Sequence, residues 1–277
     1  MIKGKLPAEF IQYVRRKKRT DVDKDALSQI KDLINTPRFT EKKVTFHGKE
    51  IVIPDAASFL FMQDEIFKKE IYKFSTLSKS PYIIDGGANI GLSSIYFKQL
   101  FPDAEIIAFE PDPHIYNILS VNLSNMGYQD VLCLNQGLWN EETTLSFYSE
   151  GADGGTMKPR GINKEYLITV KASSLVPYLN RKVDFLKLDI EGAELIVLND
   201  IKGNLHNVER IFVEYHSYIN ENQSLSELIS ILESSGFRIY INSPGLTSLQ
   251  PFHKINTYNN MDMQLNIYGI RFDLNND

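Results

Sequence analysis

Residues 82–101 read YIIDGGANIGLSSIYFKQLF. Four residues of strand character, YIID, run into a glycine-rich turn, GGANIG, and then into a stretch of helical character. Strand, tight turn and helix in that order make half of a βαβ unit, and the following segments repeat the rhythm. EIIAFE (105–110) leads into PDPHIYNILSVNLSNMG, where Pro113 stands as a first-turn proline. VLCLN (131–135), VDFLKLD (183–189) and VERIFVEYH (208–216) read as further strands, the last two followed by helical AELIVLNDI and LSELISILESSG. Strands separated by helix-length crossovers predict an α/β protein whose parallel sheet is buried on both faces. The end of the chain differs: FRIYIN and MQLNIYGIRF have only a loop between them, so an antiparallel pair is expected to close one edge. A doubly wound sheet binds ligands outside the carboxyl ends of its strands, where the strand order reverses.

Upstream of residue 80 the pattern changes. Residues 7–19 and 21–35 read as helices with one apolar face each (Phe10, Ile11, Val14; Leu27, Ile30, Leu33, Ile34), which suits a cap or a homodimer contact. KVTFHGKEIVIP reads as a hairpin with His47 in its turn, and SFLFMQDEIFKKEIYKF (58–74) as an amphipathic helix. The chain is therefore expected to divide into a helical and hairpin extension over 1–80 and an α/β domain over 81–277. With 277 residues, 43% of them hydrophobic, it can bury a sizeable core. A formal charge of -5 gives no attraction to phosphate backbones, so nucleic acid is not an expected partner. Lone Cys133 excludes an intrachain disulfide and fits a reducing compartment. No apolar run reaches the length of a signal-peptide core or a membrane span, so the expectation is a cytoplasmic protein with no membrane partner.

DGGANIG (85–91) stands where the first strand meets its helix. Its spacing, Asp85-x-Gly87-x-Asn89-x-Gly91, is not the G-x-G-x-x-G of a pyrophosphate binder. An acid ending the strand would repel a diphosphate and would suit an amino or sulfonium group. Glu110 ends the second strand, 19 residues past Gly91. An acid at about 20 residues is where nucleotide-binding βαβ units grip ribose hydroxyls. Together these residues point to an adenosine-containing ligand without phosphates.

DGGANIG, AFEP (108–111), DFLKLDIEGAEL (184–195) and FVEYH (212–216), in that order and spacing, resemble the FkbM-type S-adenosylmethionine-dependent methyltransferases over about residues 55–242. The resemblance implies a class I methyltransferase, Rossmann-like, doubly wound sheet of seven strands with the last antiparallel. It implies S-adenosylmethionine as cofactor and methyl transfer to a small-molecule hydroxyl, on a sugar or a polyketide-like metabolite. Carried over residue by residue, Asp85, Gly87, Ala88, Asn89 and Gly91 would hold the methionine part, Glu110 the ribose, and Asn135 and Gln136 the adenine edge. The chain departs from the family at Ser174-Leu175-Val176, where a Leu-Asp pair is usual, and that segment is left out of the candidate site.

Methyl transfer to an alcohol requires in-line alignment and a base for the departing proton. Two strand ends supply candidates: Asp189 on the fourth strand, and Glu214 with His216 on the fifth. An unperturbed imidazole titrates near neutrality, so the base is His216 or Asp189, with Glu214 orienting its partner. Lys187 and Glu191 are candidates for holding the acceptor, and Glu191 and Glu194 stand equally where acids favour a helix start. Carboxylate and imidazole also suit a divalent ion, but without a demonstrated convergence of three ligands no metal is assigned. His114 reads as a surface residue, and His206 and His253, in polar connections, as structural or solvated. The long loop GADGGTMKPRGINKEY (151–166) suits a lid in which Lys158 and Arg160 would meet an anionic acceptor. Two other functions share the fold: a nicotinamide-dependent dehydrogenase, disfavoured by the glycine spacing and Asp85, and a noncatalytic nucleoside-binding protein, which would leave the base candidates idle.

Overall fold

A computed structural model describes residues 24–149, 151, 155, 166–245, 248, 250–257 and 260–271. Helix α1 (Lys24–Asn35) is the later part of the helix expected over 21–35, whereas the one expected over 7–19 lies outside the described residues. Strands β1 (Lys42–Phe46) and β2 (Lys49–Ile53) form the expected hairpin, with His47 and Gly48 at φ 47° and 77°. Both central residues of a two-residue hairpin turn take positive φ when its twist matches that of the strands.

Helix α2 (Ala56–Gln63) is capped by Asp55, whose carboxylate accepts the Ser58 N–H, and it passes into one π-helical turn, Asp64–Lys68. The amphipathic pattern predicted a helix to Phe74, but the chain leaves it at Lys69 and Glu70 takes φ 53°. Burial overrides the local pattern here. Tyr72 and Phe74 swing into an aromatic cluster, with ring centroids 4.9 Å from Phe212 and 5.0 Å from Phe185.

The α/β part follows as β3 (Tyr82–Gly86), α3 (Leu92–Leu100), β4 (Glu105–Phe109), α4 (Pro113–Met126) and β5 (Leu132–Leu134). Asp112 caps α4 ahead of Pro113, and Gly127 ends it at φ 90°, the punctuation that residue chemistry dictates. A small sheet that the sequence reading did not anticipate comes next: β6 (Gly137–Leu138), β7 (Thr143–Tyr148) and β8 (Leu167–Ser173), ordered β6-β8-β7. The chain continues with β9 (Phe185–Leu188), α5 (Glu194–Ile201), β10 (Arg210–Tyr218), α6 (Leu225–Ser234), β11 (Arg238–Asn242) and β12 (Met261–Ile270).

The main sheet has seven strands in the order β11-β12-β10-β9-β3-β4-β5. From β3 the order runs one way to β4 and β5 and the other way to β9 and β10, all parallel. The last strand, β12, is antiparallel to both β10 and β11 and lies between them, so the expected antiparallel pair does close one edge. This is the class I methyltransferase topology, with its switch point between β3 and β9.

Side-chain alternation assigns the two faces. Ile84, Leu186, Leu188 and Val213 pack against α5 and α6 through Val197, Leu198, Leu228 and Leu232. Ile83, Phe185 and Phe212 face the other way, into a core shared with α3, α4 and the extension's Val44, Phe46, Ile51, Ile53, Phe59 and Leu60. Asn122 on α4 ties these parts together: its side chain accepts from Val52 N–H and donates to the carbonyls of Val52 and Ile90. Lys187 and Asp85 occupy paired positions on this second face and are both buried. The ammonium donates to the carbonyls of Gly86 (3.1 Å) and Gly87 (2.7 Å) and lies 3.3 Å from Asp85 and 3.5 Å from Asp189. Burial alone would favour the neutral amine, but Asp189, Asp85 and Glu214 outweigh it and hold Lys187 above the usual lysine range. Among the described residues no helix is long and apolar enough to cross a membrane.

Two stability changes follow from this core. Phe212→Ala empties the centre of the aromatic cluster and is expected to cost about 3–5 kcal/mol, read as a lower denaturation midpoint at unchanged slope. Lys187→Met keeps the volume but strands Asp85 and Asp189 without their cation, with an expected loss of about 3–5 kcal/mol, the scale for breaking a buried pair. A Lys187→Met protein as stable as wild type would show that the ammonium is dispensable.

Candidate active site at the carboxyl ends of the strands

The loop after β3 is built from its own backbone. Gly87 has φ 77°, and a Cβ there would come within 1.8 Å of the Asp189 carbonyl, so only glycine fits. Gly87 N–H and Ala88 N–H both donate to the Phe109 carbonyl, and Gly91 N–H donates to the Ala88 carbonyl. Asn89, at φ 48°, gives its own N–H to Glu110 (3.0 Å) and accepts the Ile90 N–H on its side chain. Every N–H from 87 to 91 is thus satisfied within the protein. Asp85 is fully buried, and its carboxylate accepts the hydroxyls of Ser93 and Ser94 in the first turn of α3.

Glu110 closes the other side of the loop. Its carboxylate accepts from Asn89 and Asp112 N–H groups, and burial pushes its pKa up to about 8 in spite of those two bonds. Asn135 donates to the carbonyls of Glu110 and Pro111, while the Gln136 side-chain oxygen accepts from Ser173 of β8. The structure therefore gathers Asp85, Gly87, Ala88, Asn89, Gly91 and Glu110 into one loop, with Asn135 and Gln136 beyond it at the end of β5.

Across β9, β10 and β12 runs a row of polar side chains. The β9–β10 register pairs Leu188 with Val213, which brings Asp189, one residue past the strand, alongside Glu214. In the β10–β12 ladder Glu214 lies opposite Asn266, and His216 opposite Gln264. Asp189, Glu214 and His216 each offer a ligand atom within 4.8 Å of the others. Gln264 donates to Glu214, whose carboxyl is pushed well above the usual range by burial and by Asp189 beside it.

His216 is enclosed, its side chain 1% exposed. Nδ1 lies 3.2 Å from Glu194 and Nε2 lies 3.8 Å from Glu191. Burial alone would lower its pKa, but Glu191, Glu194 and Glu214 prevail and raise it well above the ordinary histidine value. Glu194 also accepts from Ile190 and Gly192 N–H groups, so one side chain both caps the turn before α5 and anchors His216. Glu191 takes φ 54°, and its carboxylate accepts from Tyr218 OH at 3.5 Å. The three proposed catalytic residues and Glu191 are thus together, and Lys187 lies beneath them. Lys158 and Arg160 lie outside the described residues.

A cleft opens between this row and the extension. The glycine loop contributes Gly87, Ala88 and Asn89, and the strand ends contribute Lys187, Asp189, Glu214 and Asn266. The opposite wall is Phe61, Met62, Glu65, Ile66, Ile71 and Tyr72. The sequence reading missed this wall and missed Asn266. For Asn266 a signal existed, because Asp262, Gln264 and Asn266 alternate with Met263, Leu265 and Ile267 along β12.

Comparisons with known proteins bear on this geometry. The family described as the Methyltransferase FkbM domain matches residues 85–239. Methyltransferase sdnD of Sordaria araneosa is 32% identical over an alignment covering 51% of this chain and 68% of that protein. Hexuronic acid methyltransferase AglP of Haloferax volcanii is 30% identical, covering 53% of this chain and 60% of that one. The 2-O-methyltransferase NoeI of Sinorhizobium fredii is 27% identical, covering 49% and 63%. The chain thus spans less than two thirds of the latter two relatives. The family match begins on Asp85 and takes in the glycine loop, Glu110, Asp189, Glu214 and His216. This chain belongs to the FkbM methyltransferase family.

Proposed function

We propose that the protein transfers a methyl group from S-adenosylmethionine to a hydroxyl of a small molecule, a sugar or a polyketide-like metabolite. The observation that carries the cofactor reading is the saturation of the glycine loop. A diphosphate is held by free backbone N–H groups at a helix start, and here the five N–H groups of residues 87–91 already have partners. Glu110, whose carboxylate closes the same loop, would be the acceptor for a ribose diol. These donors and acceptors favour an adenosyl group without phosphates over a nicotinamide dinucleotide. S-adenosylmethionine, when bound, supplies a methyl group on a positively charged sulfur.

Asp189, Glu214 and His216 then act on the acceptor. Beside the end of β9 and within β10 they would orient the hydroxyl for the in-line attack that methyl transfer requires. With that group bound, the carbon–oxygen bond would form as the carbon–sulfur bond breaks with its electron pair left on sulfur, and the carboxylate of Asp189 would take the hydroxyl proton. Asp189 is favoured over His216 in that role because its side chain is 25% exposed, whereas the imidazole is enclosed by carboxylates that keep a proton on it. Glu214 and His216 hold the carboxylate and the acceptor in place. The hydroxyl as acceptor draws support from a relative named as a 2-O-methyltransferase, and the sugar from one named for hexuronic acid.

Two measurements test this reading. With methyl-labelled S-adenosylmethionine and a panel of glycosides and polyketide alcohols, Asp189→Asn is expected to lower kcat by about 10²–10⁴-fold on a folded protein. Undiminished turnover would remove Asp189 from the chemistry, and nicotinamide dinucleotide binding without sulfonium binding would end the methyl-transfer reading. The second measurement concerns pH. A diol donates to the carboxylate form of Glu110, so binding expels the proton that burial holds there up to about pH 8. Adenosine affinity is therefore expected to rise as pH increases through about 8, with proton release seen as a buffer-dependent binding enthalpy. Glu110→Gln should flatten that profile.

A further inference from the structure

We propose that Asp189, Glu214 and His216 form a binding site for a divalent cation of the Mg²⁺ or Mn²⁺ type, on which the acceptor hydroxyl is seated. The ligand atoms of the three residues lie within 4.8 Å of one another. Two ligands each about 2.0–2.2 Å from one ion are at most about 4.4 Å apart, so a contraction of a few tenths of an ångström closes the group around a cation. Two carboxylates and an imidazole on one face of an octahedral ion leave positions for water and for an alcohol oxygen.

Asn266 is the second and independent observation. It stands directly opposite Glu214 in the β10–β12 ladder, lines the same cleft, and is 3% exposed. Its side-chain oxygen is buried and has no hydrogen-bond partner among the described residues. An orphaned amide oxygen beside two carboxylates is an acceptor awaiting either a cation or a water on one. His216 is oriented in the same sense: Nδ1 faces Glu194, and a second carboxylate on the far nitrogen is how metal-binding histidines are held. That leaves Nε2 for the ion.

Charge points the same way. Asp189, Glu191, Glu194 and Glu214 surround one imidazole, and Lys187 beneath them is shared with Asp85. A dication offsets that excess. It would also stabilise the negative charge that develops on the acceptor oxygen, lowering the cost of losing the proton. Asp189 can serve both roles, one oxygen on the ion and the other on the proton. The seating of the acceptor rests on the methyl-transfer reading, whereas the cation site stands on the geometry alone.

The test is direct binding to the full chain, stripped with a chelator and free of cofactor and acceptor. Mn²⁺ is titrated in, and the free ion is followed by its electron paramagnetic resonance signal. A single saturable site, displaced by Mg²⁺, is expected. Asp189→Asn and Glu214→Gln should each weaken it by about ten-fold or more, while exposed Glu227→Gln leaves it unchanged. Thermal unfolding without metal verifies that each variant is folded, and Mn²⁺ should raise the midpoint of wild type but not of Asp189→Asn. Should Glu214→Gln fail to fold, Asp189→Asn decides, because its side chain is partly exposed. No saturable binding up to about 1 mM, the weak end for biological divalent sites, overturns the proposal. Equal affinity in Asp189→Asn does the same. Mn²⁺ binding without methyl transfer would retain the cation site and sink the enzymatic reading, whereas chelator-resistant methyl transfer would retain that reading and overturn the seating of the acceptor on the ion.

Discussion

A lysine ammonium buried in the middle of a parallel sheet is the constraint on which the rest of the site depends. Lys187 is 2% exposed, and an ammonium taken that far from water survives only where carbonyls and carboxylates replace its hydration. The partners that meet this demand come from two strands and one loop: Asp85, Asp189, and the carbonyls of Gly86 and Gly87. Holding the carbonyls of Gly86 and Gly87 on one side leaves the N–H groups of the loop turned to Phe109 and Glu110 on the other. One cation therefore orients the backbone of the glycine loop and places Asp189 at the rim of the cleft.

The consequence for recognition is a loop that differs from a phosphate cradle in its hydrogen bonding more than in its shape. A glycine-rich turn entering a helix is shared by both. In a phosphate cradle the N–H groups remain available, and here residues 87–91 spend theirs internally. On the proposed reading, selection among nucleotides would rest on what the backbone withholds, together with the carboxylate of Glu110.

The extension is part of the same construction. Its hairpin is stitched to α4 by Asn122, whose side chain also holds the Ile90 carbonyl of the glycine loop. Beyond α2 the chain breaks its helical pattern so that Tyr72 and Phe74 enter the aromatic cluster over Phe185 and Phe212. The same segment carries Phe61, Met62, Ile66 and Ile71 to the wall facing Asp189 and Glu214. A mostly apolar wall, broken by the buried Glu65, thus faces an acid-rich floor.

Much of this was legible in the sequence because its signals are local. The alternation of strand and helix periods, Pro113 and Gly127 at helix ends, and the closing loop between FRIYIN and MQLNIYGIRF each follow from backbone geometry within a dozen residues. The acids Asp85, Glu110 and Asp189 were legible for the same reason, since a parallel sheet delivers strand ends to one edge, whereas Glu214 lies inside β10, which runs on to Tyr218 beside β12. The sheet of β6, β7 and β8 carried alternation in TTLSFY and LITVKAS that the longer α/β rhythm overshadowed. Only the tertiary structure decided the environment of each group. His216 looks like a free base in sequence, and becomes an enclosed imidazole because Glu191 and Glu194, over twenty residues away, fold against it. Asn266 and the extension's wall reach the cleft from still more distant segments. Distance in space and burial are not encoded in any short window, and they set which proton, ligand or ion each side chain can hold.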